Sequence, residues 1–371
     1  MKQIFSLLTI LVGLNSFSQQ TFENIDILGT NREYYKYLPT NFDSNTESVP
    51  LVIILHGIGG TAIQLTAGQY NPTADTARFI PVYLQGKLNQ FNQTAWNNGT
   101  LLGTTENDVL FISDIIDEMK NLHNIDLNRV YLTGISMGSI MTYKAIRHLD
   151  DRIAAVSCHI GTMSTQEIND YFPSHVIPVQ HIHGTEDTTV PYDTLPFTSL
   201  SLVPETIDKL KTINGWNGDS TITNIPDIVA DGITIEKIVY DCTTPLEFWK
   251  MNGGGHIFLR PGINDVSGVH VSWEFFYRFS HPNPSTVSIN NLDDSNIKIE
   301  FYPNPANDKL FIKQFHNLKS ISIFDLNGKE IVNENNIDEV LYLDNLDNGI
   351  YTIKSINRDD IIQLNKLIIS K

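Results

Sequence analysis

Cysteine and positive charge are both scarce in this sequence. Its 371 residues include two cysteines, Cys158 and Cys242, which lie in separate segments without the neighbours of a metal site. We expect these two thiols to be unpaired. Lys and Arg number 25 against 42 Asp and Glu, a formal net charge of -17. That balance repels phosphate backbones and anionic membrane surfaces, so nucleic acid is not expected as a partner.

Long hydrophobic runs are missing after the first residues. Residues 4–14 form an apolar run after a single lysine, and the small residues Ser16 and Ser18 follow at the -3 and -1 positions of a cleavage site, which is the pattern of a secretory signal. The run is too short to span a bilayer, and no later stretch approaches the roughly 18 apolar residues of a transmembrane helix. We therefore expect a signal peptide at 1–18, and a mature protein without a transmembrane segment that passes through the periplasm to the cell surface or exterior.

Residues 129–149 hold the local pattern on which the functional interpretation depends. A β-branched and aromatic run at 130–133 meets Gly-Ile-Ser-Met-Gly at 134–138, and apolar residues at helical spacing follow. This predicts strand, sharp turn and helix, with Ser136 at the turn in a strained backbone, the arrangement called a nucleophile elbow. Because Gly-x-Ser-x-Gly arises by chance in about one chain of this length in ten, the elbow needs partners elsewhere in the chain.

Apolar runs that alternate with helical patterns organise residues 19–282. The run at 51–55 is continuous, as in a strand buried on both faces of a parallel sheet, and strands and helices alternate up to a last helix near 269–279. This predicts an α/β domain with a doubly wound, mostly parallel sheet. A polar linker at 283–298 then leads to short strands only, which predicts a small all-β domain at 299–371.

Two residues that follow predicted strands complete the chemistry that Ser136 needs. A serine hydroxyl is a poor nucleophile without a base, and functional loops of a doubly wound sheet leave the carboxyl ends of its strands. Asp187 and His256 follow such strands, and the chain order Ser, Asp, His is that of the α/β-hydrolase fold. Glu186 is the alternative acid. Without catalysis, Asp187 would be a turn-former and His256, after three glycines, a surface-loop residue.

An oxyanion hole requires two backbone N–H groups aimed at the developing negative charge. Met137, at the start of the elbow helix, is the first candidate, because the helix dipole adds to its N–H. Ile58, in the glycine-rich loop after the early strand, is the second. The alternative for that loop is a tight turn with no catalytic role.

Two other patterns resemble ligand sites without meeting their requirements. His181 and His183 share one face of a predicted strand, but no third ligand lies near them in the sequence, so a metal is not expected. The glycine-rich loop at 56–61 lacks both the Walker lysine and a complete dinucleotide fingerprint. We expect no metal and no cofactor.

A set of motifs in a fixed order resembles the polyhydroxybutyrate depolymerase and feruloyl esterase group of α/β-hydrolases over residues 30–282. They are Leu55-His56-Gly57, Gly86, Trp96-Asn97, Asp108 and the apolar residues after it, the elbow, His183-Gly-Thr-Glu-Asp187 and Gly253-Gly-Gly-His256. The resemblance implies Ser136 as nucleophile, Asp187 as acid, His256 as base and the N–H groups of Ile58 and Met137 as oxyanion hole. It also implies that Trp96 lies near the substrate cleft, for which a position in the core is the alternative. The chain departs from that group at two places. Position 58, which is often Cys in the group, is Ile here, and the loop after Trp96 lacks the cysteines that some members have.

The C-terminal part resembles the sorting domain of the type IX secretion system. The matching segments are Phe-Tyr-Pro-Asn-Pro-Ala at 301–306, Ile-Phe-Asp-Leu-Asn-Gly-Lys at 323–329, Asn-Gly-Ile-Tyr at 348–351 and the closing Lys-Leu-Ile-Ile-Ser-Lys at 366–371. The resemblance implies an immunoglobulin-like sandwich that serves as an export address, is commonly cleaved off, and has the secretion machinery as its partner. A carbohydrate-binding or adhesive β-module is the alternative.

These patterns predict a secreted serine carboxylic-ester hydrolase that works through an acyl-enzyme. Feruloyl or acetyl esters on a polysaccharide are the expected substrates, because export suits a polymer that is too large to import. A polyhydroxyalkanoate depolymerase or oligomer hydrolase is the first alternative. The second is a non-catalytic binding or adhesive protein on a hydrolase fold, which predicts a broken triad.

Overall fold

The computed structural model divides the chain into two compact units, Met1–Leu292 and Asp293–Lys371. The described residues are 19–171, 173–194, 199–285, 301–313, 315, 318–325, 329–335, 337–357 and 362–371. The predicted signal peptide at 1–18 and residues 286–298 of the predicted linker lie outside them.

The first unit is built on a sheet whose centre is parallel. In chain order its strands are β1 (Gln20–Ile27), β2 (Thr30–Tyr37), β3 (Val49–Leu55), β4 (Ile80–Leu84), β5 (Lys87–Leu88), β6 (Thr94–Ala95), β7 (Ile125–Ile135), β8 (Ala155–His159), β9 (Val179–Gly184), β10 (Trp216–Asn224), β11 (Thr234–Cys242) and β12 (Leu246–Asn252). β5 and β6 pair with each other, and the others form a ten-stranded sheet in the order β1-β2-β4-β3-β7-β8-β9-β12-β11-β10. Neighbours from β4 to β12 in this order run parallel, whereas the two outer strands on each side are antiparallel.

Helices cover both faces of this sheet. They are α1 (Ala62–Thr66), α2 (Tyr70–Ala77), α3 (Asp108–Leu122), α4 (Met137–His148), α5 (Thr165–Asp170), α6 (Val203–Asn214) and α7 (Gly268–Phe276). Leu51, Ile53 and Leu55 of β3 belong to an apolar cluster with residues of α3, α4 and α6, whereas Val52 and Ile54 belong to a second cluster with residues of α2 and α7. Burial on both faces explains why β3 is a continuous apolar run. The predicted α/β fold with a doubly wound, mostly parallel sheet is confirmed.

Two strands at the edges of the sheet are not marked by the sequence pattern. β1 pairs with β2, and β10 pairs with β11. Every residue of β10 is exposed, so its sequence has no apolar alternation and resembles a polar loop. Only the pairing with β11 identifies β10 as a strand.

The parallel centre of the sheet brings four loops to one edge. β3 is followed by the loop at 56–60, β7 by Ser136, β9 by the turn that contains Asp187, and β12 by the loop that contains His256. Because these strands run parallel, their carboxyl ends lie on the same side of the sheet. Residues that are far apart in the chain therefore meet there.

The second unit consists of two small antiparallel sheets. Its strands are β13 (Phe301–Tyr302), β14 (Lys309–Ile312), β15 (Leu318–Phe324), β16 (Glu330–Glu334), β17 (Val340–Tyr342), β18 (Gly349–Asn357) and β19 (Ile362–Ile369). One sheet has the order β13-β14-β17 and the other the order β16-β15-β18-β19. Leu310 of the first sheet packs with Ile323 and Ile353 of the second in one apolar cluster. This is the all-β sandwich that the sequence predicts.

Neither cysteine is bonded to the other. Cys158 is buried in β8, and Cys242 ends β11 and is partly exposed. Over the part of the chain that the structure describes, no helix is both long enough and apolar enough to cross a membrane.

Candidate active site

Ser136 lies at the turn between β7 and α4, in a backbone conformation that few residues other than glycine adopt. Its φ is 56° and its ψ is -118°, which costs about 1–3 kcal/mol for a residue with a side chain. A Cβ on Gly134 would lie 2.1 Å from the carbonyl carbon of Gly138, and one on Gly138 would lie 2.4 Å from the carbonyl oxygen of Leu55. Both glycines of the motif are therefore required for the close contact of strand, turn and helix.

The end of β8 supports the same turn from the other side. The Ser136 N–H donates to the carbonyl of His159 at 2.8 Å. A Cβ on Gly161 would lie 2.3 Å from the carbonyl oxygen of Ser136. Sequence reasoning missed both residues. A glycine just after a predicted strand was the available signal for Gly161, whereas His159 contributes a backbone carbonyl that any residue would supply.

Ser136, His256 and Asp187 form one chain of hydrogen bonds. His256 Nε2 lies 2.9 Å from Ser136 Oγ, and His256 Nδ1 lies 2.7 Å from Asp187 Oδ2. A carboxylate only accepts hydrogen bonds, so Nδ1 carries the proton and Nε2 is free to accept the serine hydroxyl proton. Ser136 and Asp187 are buried, and the His256 side chain is 22% exposed. The structure thus brings together three groups that the sequence separates by 51 and 69 residues.

The Asp187 carboxylate is surrounded by donors. Its Oδ1 accepts the backbone N–H groups of Thr189 at 2.8 Å and Val190 at 2.9 Å, and its Oδ2 lies 3.2 Å from His183 Nε2. Burial opposes ionisation, but the hydrogen bonds from His183, His256 and Val190 outweigh it and hold the pKa of Asp187 well below its usual range. Glu186, the alternative acid, is exposed. Asp187 is therefore the carboxylate that His256 contacts.

Glycines also bring the histidine loop onto the end of β9. A Cβ on Gly184 would lie 2.1 Å from the carbonyl oxygen of Gly254, and the Glu186 N–H donates to that same carbonyl at 2.8 Å. Gly253 has a φ of 76°, which favours glycine at the bend. The three glycines before His256 thus let two backbones touch, so that His256 reaches Asp187.

The two candidate oxyanion donors are Ile58, in the loop after β3, and Met137, the residue after Ser136. A Cβ on Gly57 would lie 3.3 Å from Ser136 Cβ, which places the glycine-rich loop against the serine. Gly59 N–H donates to Thr94 and Gly60 N–H to Gly57. The N–H groups of Ile58 and Met137 contact no acceptor among the described residues. Met137 is the first residue of α4, where N–H groups lack partners within the helix.

Two protein families match this chain. The phospholipase/carboxylesterase family matches residues 43–202, and the secretion system C-terminal sorting domain matches residues 300–370. The chain matches the first family over less than half of its length, and its fold is that of an α/β-hydrolase. Its C-terminal part is a secretion sorting domain, so the resemblance inferred from the motifs is confirmed for both parts.

Curated relatives of this chain carry names of esterases and of a depolymerase. It is 28% identical to the bifunctional acetylxylan esterase/xylanase XynS20E of Neocallimastix patriciarum, over 71% of this chain and 35% of the relative. It is 31% identical to the poly(3-hydroxyalkanoate) depolymerase C of Paucimonas lemoignei, over 36% and 33%. It is 30% identical to the feruloyl esterase B of Piromyces equi, over 66% and 44%. The chain thus spans less than half the length of these relatives.

Trp96 of the hydrolase is fully buried, so its indole has no surface to offer a substrate. Its Nε1 donates to the carbonyl of His56 at 2.7 Å, and its ring packs on the His56 ring with centroids 4.8 Å apart. His56 Nε2 in turn accepts the Gly86 N–H at 2.9 Å, so its Nδ1 donates to the Gly57 carbonyl at 2.7 Å. Burial lowers the pKa of His56, which favours this neutral ring. Trp96 thus lies in the core, where it holds the strand end that precedes the loop of Ile58, and its place near the substrate cleft stays a prediction.

Trp96→Phe is expected to destabilise the hydrolase by about 1–3 kcal/mol, because the buried His56 carbonyl loses its donor. Urea unfolding followed by circular dichroism measures the difference. Trp216→Phe is the matched control: Trp216 Nε1 also donates to a carbonyl at 2.7 Å, that of Asp219, but the ring is 40% exposed and water replaces the lost bond. Equal losses in the two variants would contradict the assignment.

His181 and His183 are both engaged with protein groups. His181 Nδ1 lies 2.7 Å from the Tyr143 hydroxyl, and His183 Nε2 lies 2.9 Å from the carbonyl oxygen of Val190. Within the described ranges, no group of three or more His, Cys, Asp and Glu side chains is arranged to hold a metal. His183 also contacts Asp187, a link that the His-Gly-Thr-Glu-Asp motif contains but sequence reasoning did not use.

Proposed function

We propose that the protein is an exported serine esterase in which Ser136, His256 and Asp187 act as nucleophile, base and acid. The observation that supports this most is the hydrogen-bonded chain from Ser136 Oγ through His256 to Asp187, at 2.9 and 2.7 Å. Its members have the tautomer and the order that acyl transfer needs. The strained backbone of Ser136, beside a histidine that contacts its hydroxyl, is typical of a functional site.

The reaction proceeds through an acyl-enzyme. Ser136 Oγ attacks the ester carbonyl carbon while its proton passes to His256 Nε2, and the carbonyl oxygen becomes an oxyanion that the N–H groups of Ile58 and Met137 bind. The bond to the alcohol oxygen then breaks as His256 returns the proton to it. Water attacks the acyl group by the same route, with His256 as base, and releases the carboxylic acid and Ser136. Asp187 stabilises the imidazolium in both halves.

We propose feruloyl or acetyl esters on a polysaccharide as the substrates. Two relatives are named for acetylxylan and feruloyl ester hydrolysis and align over about two thirds of this chain, 71% and 66%. The relative named for poly(3-hydroxyalkanoate) aligns over 36%. Specificity depends on differences in transition-state binding that pocket loops supply, so polyhydroxyalkanoate remains the competing substrate.

We propose that the N-terminal signal peptide and the C-terminal sorting domain serve export. The sorting domain supports delivery to the exterior or the cell surface, with the type IX secretion machinery as the partner of residues 299–371. We propose a signal peptide cleaved after Ser18 for the first step, and residues 19–282 as the catalytic domain. The acyl transfer itself needs no group from the sorting domain.

A rate comparison tests the activity and the substrate together. Purified enzyme is assayed on methyl ferulate, acetylated xylan and hydroxybutyrate oligomers, and is separately treated with an aryl phosphonate. We expect covalent labelling of Ser136, located by mass spectrometry, and a kcat/KM at least about tenfold higher on one of the first two substrates than on the oligomers, a difference of about 1.4 kcal/mol in barrier. Faster oligomer hydrolysis would move the proposal to the depolymerase. An unlabelled Ser136 would favour a binding protein.

A further inference from the structure

His183 is the last residue but one of β9, and its side chain contacts Asp187, the acid of the proposed triad. Its side chain is fully buried, and it stacks on His181 with ring centroids 5.3 Å apart and an interplanar angle of 13°. Its Nε2 lies 2.9 Å from the carbonyl oxygen of Val190 and 3.2 Å from Asp187 Oδ2. Nδ1 has no hydrogen-bond partner among the described residues.

The Val190 carbonyl determines which nitrogen of His183 carries the proton. A carbonyl oxygen only accepts hydrogen bonds, so Nε2 must be the protonated nitrogen. The same nitrogen lies 3.2 Å from Asp187 Oδ2, and a carboxylate also only accepts. A single proton on Nε2 therefore serves both contacts.

Val190 closes this arrangement through its backbone. Its N–H donates to Asp187 Oδ1 at 2.9 Å, while its carbonyl accepts from His183. The carboxylate is thus held at Oδ1 by the turn and at Oδ2 by the rigid strand, and Oδ2 remains 2.7 Å from His256 Nδ1. Without His183, Oδ2 would be held by His256 alone, and the Val190 carbonyl would lose its link to a side chain of β9.

We propose that His183 is a positioning residue for catalysis, which orients the Asp187 carboxylate toward His256 by sharing its Nε2–H between Asp187 Oδ2 and the Val190 carbonyl. The inference rests on the proposed esterase function and adds a fourth residue to it. His183 does not touch the substrate or Ser136. It acts through Asp187, in the same way that a group hydrogen-bonded to a metal-binding histidine acts by orienting that histidine.

The titratable groups that face Asp187 are His183 from β9 and His256 from the loop after β12. The hydrogen bond from His183 is first among the interactions that hold the pKa of Asp187 down. Loss of that donor leaves the buried carboxylate less stable relative to its protonated form. The acidic limb of the kcat/KM profile then moves to higher pH, because a protonated Asp187 no longer stabilises the imidazolium.

Substitutions at position 183 distinguish the loss of the hydrogen-bond donor from the loss of ring packing on His181. His183→Phe keeps a ring stacked on His181 and removes the donor, whereas His183→Gln keeps an amide N–H at nearly the reach of Nε2. With a small aryl acetate, we expect kcat of the Phe variant to fall about tenfold or more, since a hydrogen bond to a charged group is removed, with KM within about twofold and the acidic limb displaced upward. The Gln variant should recover most of kcat. His181→Phe, the control, removes the bond to Tyr143 and should leave the acidic limb in place.

Thermal melting of each variant shows whether a loss is structural. If His183→Phe does not fold, His183→Asn takes its place, because Asn is as polar as Gln but its amide is one methylene too short to reach Oδ2. Equal kcat in the Asn and Gln variants, or a wild-type pH profile in the Phe variant, would overturn the positioning role. Both results leave the esterase proposal intact if wild type remains active. A wild-type enzyme without ester hydrolysis would instead remove the proposed function.

Discussion

Ser136→Ala is expected to lower kcat on a small aryl ester by about 10⁵- to 10⁶-fold, which is the usual cost of losing the nucleophile of a triad. The substitution removes the oxygen that His256 Nε2 contacts at 2.9 Å and leaves the proposed base with water in place of the serine hydroxyl. The residual rate comes from the oxyanion donors and substrate binding alone. Burst kinetics with the aryl ester should also disappear, because no acyl-enzyme forms.

Ser139→Ala is the matched control, three residues further along the same chain segment. Ser139 is also buried, in α4, and its Oγ donates to the Gly161 carbonyl at 3.0 Å rather than to a histidine. We expect it to reduce stability by about 1 kcal/mol while turnover stays near the wild-type level. Thermal melting confirms that both variants fold. Wild-type turnover in Ser136→Ala would show that the hydroxyl is not the nucleophile.

The elbow could be predicted from the sequence because its requirements are local. A strand, a turn with small residues on both sides and a helix have to follow one another within about 20 residues, and the close contacts of Gly134 and Gly138 leave no choice of residue there. The parallel centre of the sheet could be predicted for a similar reason, since burial on both faces demands continuous apolar runs such as β3. Once the sheet is parallel, residues after its strands must share one edge.

The orientation of side chains relative to distant parts of the chain could not be predicted from the sequence. Asp187 and Glu186 are neighbours, and nothing in their order tells which of them turns inward; the structure buries one and exposes the other. For Trp96 the resemblance implies a place near the cleft and leaves the core as the alternative, and its burial depends on a contact with His56, 40 residues earlier. β10 is exposed at every residue, so only its partner makes it a strand.

Asp187→Asn should lower kcat by about 10⁴-fold although the two side chains have nearly the same shape. All four neighbours of the carboxylate are donors: the N–H groups of Thr189 and Val190 at Oδ1, and those of His183 and His256 at Oδ2. An asparagine amide must turn its NH₂ group toward one of these pairs. Facing the turn, it loses both backbone bonds. Facing His256, it forces the proton of that ring onto Nε2, where it can no longer accept the proton of Ser136.

The pH dependence of stability gives a second measure of Asp187. Its pKa lies well below the usual value in the folded state, so it contributes stability that is present above the unfolded pKa of about 4 and is lost as pH falls through the folded pKa. The difference in free energy of unfolding between wild type and Asp187→Asn should therefore be largest near neutral pH and shrink below about pH 4. Urea titrations at several pH values measure it.

Glu186→Gln is the control for both measurements, because it removes a carboxylate charge one residue away. Glu186 is exposed, and its contact with the base loop runs through its backbone N–H to Gly254, which the substitution leaves in place. We expect kcat within about twofold of wild type and a stability change below about 0.5 kcal/mol. If Glu186→Gln lost activity and Asp187→Asn kept it, the acid of the triad would be Glu186 rather than Asp187. The four donors around Asp187 argue against that outcome, since they stabilise a negative charge at one position only.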